Sequence, residues 1–207
     1  MLIDAFYRWS DFFEDGGFNL LSEEGVIGMA GELHYLEWQL TNNDPIKVNE
    51  ILSSWQGPYD KGNDFVFNDR NVEVKTKQAE VLDVRISSEF QLQPEIGKNL
   101  RLVVVNVVLD NEGQALSDVV SGIRRLVAER FGDFSIFLKA IHQKGLTIRN
   151  LTSYDHVRLR FSSMTGYDCM HPKFPKINCD NKPHLCHNVK YSIRISELND
   201  FIIEHYQ

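Results

Sequence analysis

The run LRLVVVNVVL, residues 100 to 109, restricts the fold of this chain more than any other stretch. It is apolar almost without interruption, whereas a strand with one solvated face alternates apolar and polar residues. The run therefore predicts a central strand that is buried on both faces. Because a chain of 207 residues can build one sizeable core, such a strand requires other layers packed against its sheet.

Helical patterns before and after this strand in the sequence predict such a layer. The stretch SEEGVIGMAGELHYLEWQL has Ser22 as a candidate cap and acidic residues in its first turn. Its apolar stripe consists of Met29, Leu33, Leu36 and Leu40. The stretch LSDVVSGIRRLVAERFG predicts an amphipathic helix with Ser117 as cap and Gly132 as stop, and DFSIFLKAIHQKG predicts another helix.

The remaining patterns complete an α/β organisation. VLDVRISS, VRLRF and VKYSIRIS predict strands, and a final helix is expected from Ser196. DNEG is expected to end the central strand. We therefore predict one domain over residues 1–207, in which a mixed central β-sheet is flanked by α-helices. Its core covers about 22–140, and a strand-rich, basic C-terminal part covers about 141–207.

Composition excludes several classes of protein. No stretch approaches eighteen uninterrupted apolar residues, and the N-terminus shows no cleavage pattern of a signal peptide. Three cysteines are an odd number for a disulfide framework and suit reduced thiols. We therefore expect a cytoplasmic protein without a membrane partner.

The segment GNDFVFNDRNVEVKTK, residues 62 to 77, predicts a hairpin with one charged face. If Phe67 pairs with Val72 across the turn NDRN, Asp64 lies opposite Lys75. The charged face then carries Asp64, Glu73 and Lys75, while the phenylalanines and valines point into the core. The first helix places Glu32 at the edge of its apolar stripe.

This set of charges has a chemical interpretation. Hard divalent cations take oxygen ligands, and Mg²⁺ in particular is held by one or two carboxylates while it keeps several waters. Asp64 and Glu73 would be those carboxylates, and Lys75 could orient the attacking water and offset charge on the phosphate. The alternative is a solvent-exposed ladder of ion pairs between strands, which needs no function.

The order Glu32, Asp64, then Glu73-Val74-Lys75 resembles the PD-(D/E)XK nuclease superfamily. Together with GELHYLE, WQGPYDKGNDFVF, VEVKTK and RISSEFQL, it is similar to PD-(D/E)XK motif proteins of bacterial anti-phage defence islands. The resemblance implies a restriction-endonuclease-like core and a Mg²⁺-dependent endodeoxyribonuclease, with Mn²⁺ as a substitute. It also implies that Glu32 is a third metal residue and that Gln91 belongs to the catalytic set.

Two other acidic positions compete with this assignment. Asn63 stands where the superfamily motif has proline, and Asp60 could take the role assigned to Asp64. We favour Asp64 because it adjoins a strand-like stretch, whereas Asp60 lies in a turn-forming one. Asp180-Asn181-Lys182, with Asp168 upstream, also fits the short motif, but it lies in a proline-rich segment that cannot form a buried hairpin.

Positive charge is concentrated in one segment. Between residues 139 and 194 there are ten lysines and arginines against three aspartates, although the net charge of the whole chain is −7. Such a segment is typical of a polyanion-binding surface, and an ordinary solvated surface can carry it as well. The candidate DNA contacts in it are Arg149, Arg158, Arg160, Lys173, Lys176 and Lys190.

The same segment contains cysteines and histidines whose residue types could bind zinc. They are Cys169, His171, Cys179, His184, Cys186 and His187. Their spacing matches no zinc template, since no C-x-x-C pair is present. We expect no structural zinc.

Three functions remain. The first is a metal-dependent DNA endonuclease in restriction or anti-phage defence, acting as a homodimer so that two sites address two strands. The second is a nuclease-fold DNA-binding subunit of a larger defence complex, with weak or conditional cleavage. The third, a metal or zinc protein without a nucleic-acid substrate, is disfavoured by the basic segment and the ordered motif.

Overall fold

A computed structural model describes residues 21–59 and 62–206. The main sheet has five strands in the order β1-β2-β4-β5-β7. They are β1 (Phe65–Val66), β2 (Arg70–Gln78), β4 (Asn99–Ala115), β5 (Arg158–Asp168) and β7 (Ile202–Tyr206). A second, two-stranded sheet consists of β3 (Asp83–Ile86) and β6 (Tyr191–Arg194). Because β2 runs parallel to β4 and the other pairs are antiparallel, the main sheet is mixed, as predicted.

Four α-helices pack on one face of the main sheet. They are α1 (Glu23–Asn42), α2 (Val48–Ser54), α3 (Leu116–Glu129) and α4 (Phe134–Gln143). The predicted cap of α1 is confirmed, because the Ser22 hydroxyl accepts a hydrogen bond from the Gly25 amide at 3.1 Å. The predicted apolar stripe of α1 is buried throughout. None of the helices in the described residues is long and apolar enough to cross a membrane.

The central strand β4 is covered on both faces, as its apolar run predicts. Val103, Val105 and Val107 pack against the helices. On the opposite face, Leu102 and Val104 pack against the layer formed by β3, β6 and the chain around them. This arrangement gives three layers and confirms the α/β fold class. The strands of the C-terminal part complete both sheets.

Two predicted boundaries are wrong. DNEG does not end β4, because the strand continues through a register shift between Leu109 and Gln114. Ser117 does not cap α3. It lies inside the helix and donates to Asp155 at 2.6 Å, while the Asp118 carboxylate accepts from the Ala115 amide.

The final segment is not a helix either. Two short turns from Ile195 to Phe201 lead into β7, which pairs with β5 at the edge of the main sheet. The sequence IIEHY alternates in burial along β7, so the period of a strand prevails over the helical signal around Ser196.

The register of the charged hairpin differs by two residues from the prediction. Phe65 pairs with Val72, and the turn closes between Phe67 and Arg70. A shift of two residues preserves the faces of the strands, so the charges still lie opposite the apolar side chains. Since β1 contains only two residues, no strand in the described part of the chain pairs with β2 along this edge beyond Val74.

Candidate active site

A cleft of about 760 Å³ follows this open edge of β2. Helix α1 forms one wall and strand β3 forms the other. Five consecutive residues of β2, from Val74 to Gln78, line the cleft. The other charged and polar residues that line it are Glu23, Glu24, Glu32, Asp64, Asp83, Arg85, Ser87, Gln91 and Lys144. Four of the five predicted catalytic residues therefore line one cleft, and the fifth, Glu73, is fully buried beside it.

Asp64 is held at both its backbone and its side chain. Its carbonyl oxygen accepts hydrogen bonds from the amides of Gln56 at 2.7 Å and Gly57 at 3.0 Å. Its carboxylate Oδ2 accepts from the Val74 amide at 2.8 Å, in the place where a longer β1 would pair with β2. The carboxylate thus binds the unpaired edge of β2 and is fixed at the mouth of the cleft.

Glu32 approaches Asp64 from the helical layer. Its Oε2 accepts a hydrogen bond from the indole nitrogen of Trp55 at 2.7 Å. A methyl group at Gly57 would lie 2.4 Å from Glu32 Oε2 and 3.0 Å from Asp64 Oδ1. The two carboxylates therefore converge on the same small space, and only a residue without a β-carbon fits there.

Glu73 and Lys75 form an ion pair on the face of β2 opposite the helices. Glu73 is 1% exposed, and its Oε1 lies 2.7 Å from Lys75 Nζ. Oε1 accepts no hydrogen bond of regular geometry from the described residues, while Oε2 lies 3.4 Å from the Asn63 amide. The ion pair contains one fully buried partner, so it is not the exposed ladder that was the alternative to a site.

The crowding of these acids changes their protonation. Burial, followed by repulsion from Asp64, raises the pKa of Glu32 to about 8. The same two causes raise the pKa of Glu73 to about 8, although Lys75 opposes the shift. Shifts of this kind are concentrated at functional sites, because a folded protein gains nothing structural from carboxylates that repel one another.

Gln91 is oriented by the backbone. Its Oε1 accepts from the Ser87 amide at 2.7 Å, and its carbonyl accepts from Asn63 at 2.6 Å. Since a backbone amide can only donate, the side-chain oxygen must face Ser87. The Nε2 group is therefore the donor that Gln91 can offer in the cleft.

The fit of this site to a divalent cation depends on its donors. Within residues 21–59 and 62–206, no three or more His, Cys, Asp and Glu side chains are grouped so that they could hold a metal ion. The chemistry of the donors nevertheless fits a hard cation. Asp64, Glu73 and Glu32 offer only oxygen, and a cation held by them would offset the repulsion that raises the two pKa values.

The family described as "Putative PD-(D/E)XK family member (DUF4420)" matches residues 1–196. The chain belongs to this family. No curated protein and no solved structure was found to match it. This match confirms the resemblance of the sequence to the PD-(D/E)XK superfamily and supports a nuclease-like fold.

The basic residues of this PD-(D/E)XK chain do not form one face. Arg158 and Arg160 lie on β5 beside the C-terminal end of β4, where they pair with Asp118 and Asp110. The other candidates in the loop after β5 lie toward the opposite end of that strand. There Lys173 and Lys190 are exposed, and Lys176 donates to the Cys169 carbonyl. Arg149 is exposed just before the turn Leu151–Tyr154.

The remaining sequence candidates are also placed. Asp60 lies outside the described residues. Asp180 belongs to a turn, so the second match to the motif is not in a hairpin. Cys169 is buried in the second core, whereas Cys179 and Cys186 are exposed.

Several residues of the site cannot be recognised in the sequence alone. Trp55 and Gly57 shape the space around Glu32, and Asn63 connects Glu73 to Gln91. Lys144 lines the cleft from the end of α4 and lowers the pKa of Glu32. The stretch WQGPYDKGND contains three of these positions, but no periodic pattern marks them, because they act through tertiary contacts.

Proposed function

We propose that this protein is a metal-dependent DNA endonuclease that hydrolyses phosphodiester bonds. One observation carries the proposal: Glu32 and Asp64 converge at Gly57, beside a buried Glu73 that is paired with Lys75. The membership in a PD-(D/E)XK family supports the same conclusion. Asp64 contributes to the raised pKa values of Glu32 and Glu73, and acids that repel in this way suit a site whose charge is offset by a cation.

The side chains have separate roles in this proposal. Asp64, Glu73 and Glu32 would hold Mg²⁺, for which Mn²⁺ would substitute. When bound, the ion supplies Lewis-acid stabilisation of phosphate charge and a more acidic water. Lys75, which lies 18% exposed at the cleft, orients the attacking water and offsets negative charge on the phosphate. Gln91 contributes its Nε2 group as a hydrogen-bond donor to a phosphate oxygen or to water.

DNA is the proposed substrate, and a homodimer in anti-phage defence is the proposed setting. Two copies would present two sites to the two strands of a duplex. The exposed lysines Lys173 and Lys190 are available to phosphates, whereas Arg158 and Arg160 already have acidic partners. Each phosphate contact should contribute about −0.9 to the slope of log K against log salt. Replacing Lys190 with Gln should therefore reduce this slope more than replacing Arg160 with Gln.

The test is cleavage of plasmid and linear DNA with Mg²⁺, with Mn²⁺ and with a chelator. Asp64→Asn and Lys75→Met should each abolish metal-dependent cleavage, and Asp64→Asn should leave DNA binding close to that of the wild type. Asp69→Asn is the matched control, because Asp69 is a solvent-exposed acid at the turn of the same hairpin. Equal cleavage by all four proteins would contradict the proposal.

A second candidate is a nuclease-fold DNA-binding subunit with conditional cleavage. The Glu73–Lys75 ion pair favours it, because a lysine held 2.7 Å from a proposed metal ligand has to change partner before it can serve the water. A defence-system partner that rearranges this pair would switch cleavage on. Wild-type protein that binds DNA but cleaves it only when such a partner is added would support this candidate over the first.

A further inference from the structure

The turn between β3 and β4 exposes an aromatic side chain next in the chain to residues that line the cleft. Phe90 is 61% exposed, although Leu92, two residues later, is fully buried in the second core. The residues on either side of Phe90 in this turn, Ser87 and Gln91, line the cleft. Single exposed apolar side chains are common on protein surfaces, so what distinguishes Phe90 is its place in the chain between two residues that line a polar cleft.

The turn that carries Phe90 is firmly anchored. Glu89, which is 4% exposed, accepts a hydrogen bond from the Val189 amide at 3.0 Å. It also forms an ion pair with Lys182 at 3.1 Å. Gln93 binds the same loop, since its side chain donates to Asp180 and accepts from the Cys179 amide, both at 2.9 Å. The turn is therefore held in place by contacts of Glu89 on one side of Phe90 and of Gln93 on the other.

The surroundings of Phe90 suit an anionic ligand. Arg85 is exposed on β3, lines the cleft and forms no ion pair with the described residues. Lys190 is exposed and precedes β6, whose Tyr191 pairs with Ile86, so it lies at the base of the same turn. Gln91 adds its Nε2 donor. A phosphate backbone could contact these groups while a base reaches Phe90.

We propose that Phe90 is a stacking platform for a nucleobase of the DNA whose backbone passes through the cleft. Every base has a π-face, so such stacking is tolerant of sequence and adds affinity next to phosphate contacts. The base could be unpaired, or it could belong to a duplex step that the side chain wedges apart. The inference rests on the proposed function, because it names part of the substrate that the same cleft would hold.

The experiment measures DNA binding by the full chain in chelator, where no cleavage occurs. The probes are a labelled single strand and a labelled blunt duplex, each with 2-aminopurine as a stacking reporter. Phe90→Ala should weaken binding about tenfold and abolish the quenching of 2-aminopurine. Phe90→Trp should keep both properties. Loss with the single strand alone indicates an unpaired base, and loss with both probes indicates a wedge.

The matched control is Phe131→Ala. Phe131 is 97% exposed in the turn between α3 and α4, and this turn contributes no residue to the lining of the cleft, so its removal should leave both signals unchanged. If Phe90→Ala binds both probes as tightly as the wild type, Phe90 is not a nucleobase contact, while the proposed nuclease function still stands. If the wild type binds neither probe, DNA is not the substrate, and both proposals fail. Melting temperatures of the variants show that each one is folded.

Discussion

Two buried glutamates in neighbouring parts of this protein behave in opposite ways. Glu89, in the turn before β4, is 4% exposed, and Glu73, on β2, is 1% exposed. Backbone hydrogen bonds and Lys182 lower the pKa of Glu89, in spite of its burial. Burial and the neighbouring Asp64 raise the pKa of Glu73 to about 8, in spite of Lys75. Each glutamate has a lysine partner, so the lysine does not explain the difference.

The difference lies in the effect of burial and in the other neighbours: burial is the main cause of the raised pKa of Glu73, whereas hydrogen bonds outweigh burial and lower the pKa of Glu89. Glu89 receives backbone amide donors and anchors the loop that contains Val189. Glu73 has a second acid nearby, and one of its oxygens accepts no regular hydrogen bond. A buried carboxylate therefore indicates a site only when its surroundings oppose its charge, and a carboxylate that its surroundings stabilise is structural.

The largest expected effect is a loss of cleavage activity when Glu73 is replaced but not when Glu89 is replaced. Glu73→Gln should lower the rate of metal-dependent cleavage by at least about 10²-fold, because it removes a ligand charge at the reacting centre. Glu89→Gln should keep cleavage within a few-fold of the wild type and should lower the melting temperature. Cleavage assays and thermal unfolding of both variants test the comparison, which breaks down if Glu73→Gln is fully active.

The dependence of stability on pH should also differ. Glu32 and Glu73 have folded-state pKa values of about 8, above their ordinary value of 4.5, so the folded state binds more protons between these values. Their contribution is present below about pH 4.5 and is lost as pH rises toward 8. We expect the metal-free melting temperature to fall by several degrees between about pH 5 and pH 8.

Two controls sharpen that measurement. Asp64→Asn removes the repelling charge and should flatten the fall. Glu89 contributes in the opposite sense, because its lowered pKa gives stability that is lost as pH drops below about 4.5. Glu89→Gln should therefore lower the melting temperature by a constant amount above about pH 4.5 and change its pH dependence only below that value. A melting temperature that rises steadily from pH 5 to 8 in metal-free protein would contradict the raised pKa values.

A smaller effect tests the space shared by Glu32 and Asp64. Gly57→Ala places a methyl group 2.4 Å from Glu32 Oε2, so the carboxylate has to move. We expect cleavage to fall about tenfold to a hundredfold. Gly122→Ala is the matched control. Its methyl group would also lie 2.4 Å from a carboxylate oxygen, but this oxygen belongs to Glu37, which lies outside the cleft. If both variants lose the same activity, the effect is not specific to the site.

The smallest effect concerns the loop that Glu89 anchors. Cys179 and Cys186 are exposed in this loop, and the contacts described above hold it without them. Cys179→Ser combined with Cys186→Ser should change the melting temperature by less than a degree, whereas Glu89→Gln should lower it. Elemental analysis accompanies the measurement, and one zinc per chain would refute the expectation.

The sequence predicts the central layers of this fold well, because the buried positions of a helix or strand are apolar residues at regular spacing. The run from Leu100 and the stripe of α1 predict their buried faces correctly. The alternation of side chains along β2 is also predictable, so Glu73 and Lys75 are assigned to one face although the predicted register is wrong. The last helix is mispredicted because pairing with β5, a contact that is distant in sequence, decides the structure of Ile202–Tyr206.

The site is predictable only in part, for a related reason. Asp64, Glu73 and Lys75 lie close together in sequence, and the short motif makes them visible. Trp55 and Gly57 are recognised only when α1 places Glu32 against them, since indole and glycine have no fixed spacing from a carboxylate. In the basic segment, a count along the sequence overstates the unpaired positive charge. Such a count ignores the aspartates from elsewhere in the chain that pair with Arg158 and Arg160.

The short β1 also matters for how copies of this protein meet in solution. An unpaired strand edge invites another chain to add a strand, which leads to aggregation. Here Lys75 and Lys77 lie along the open part of β2, and the Asp64 carboxylate occupies the Val74 amide. The groups proposed for catalysis thus also keep this edge from joining a neighbouring molecule. Variants that neutralise several of them at once should be less soluble at high concentration, even where each chain remains folded.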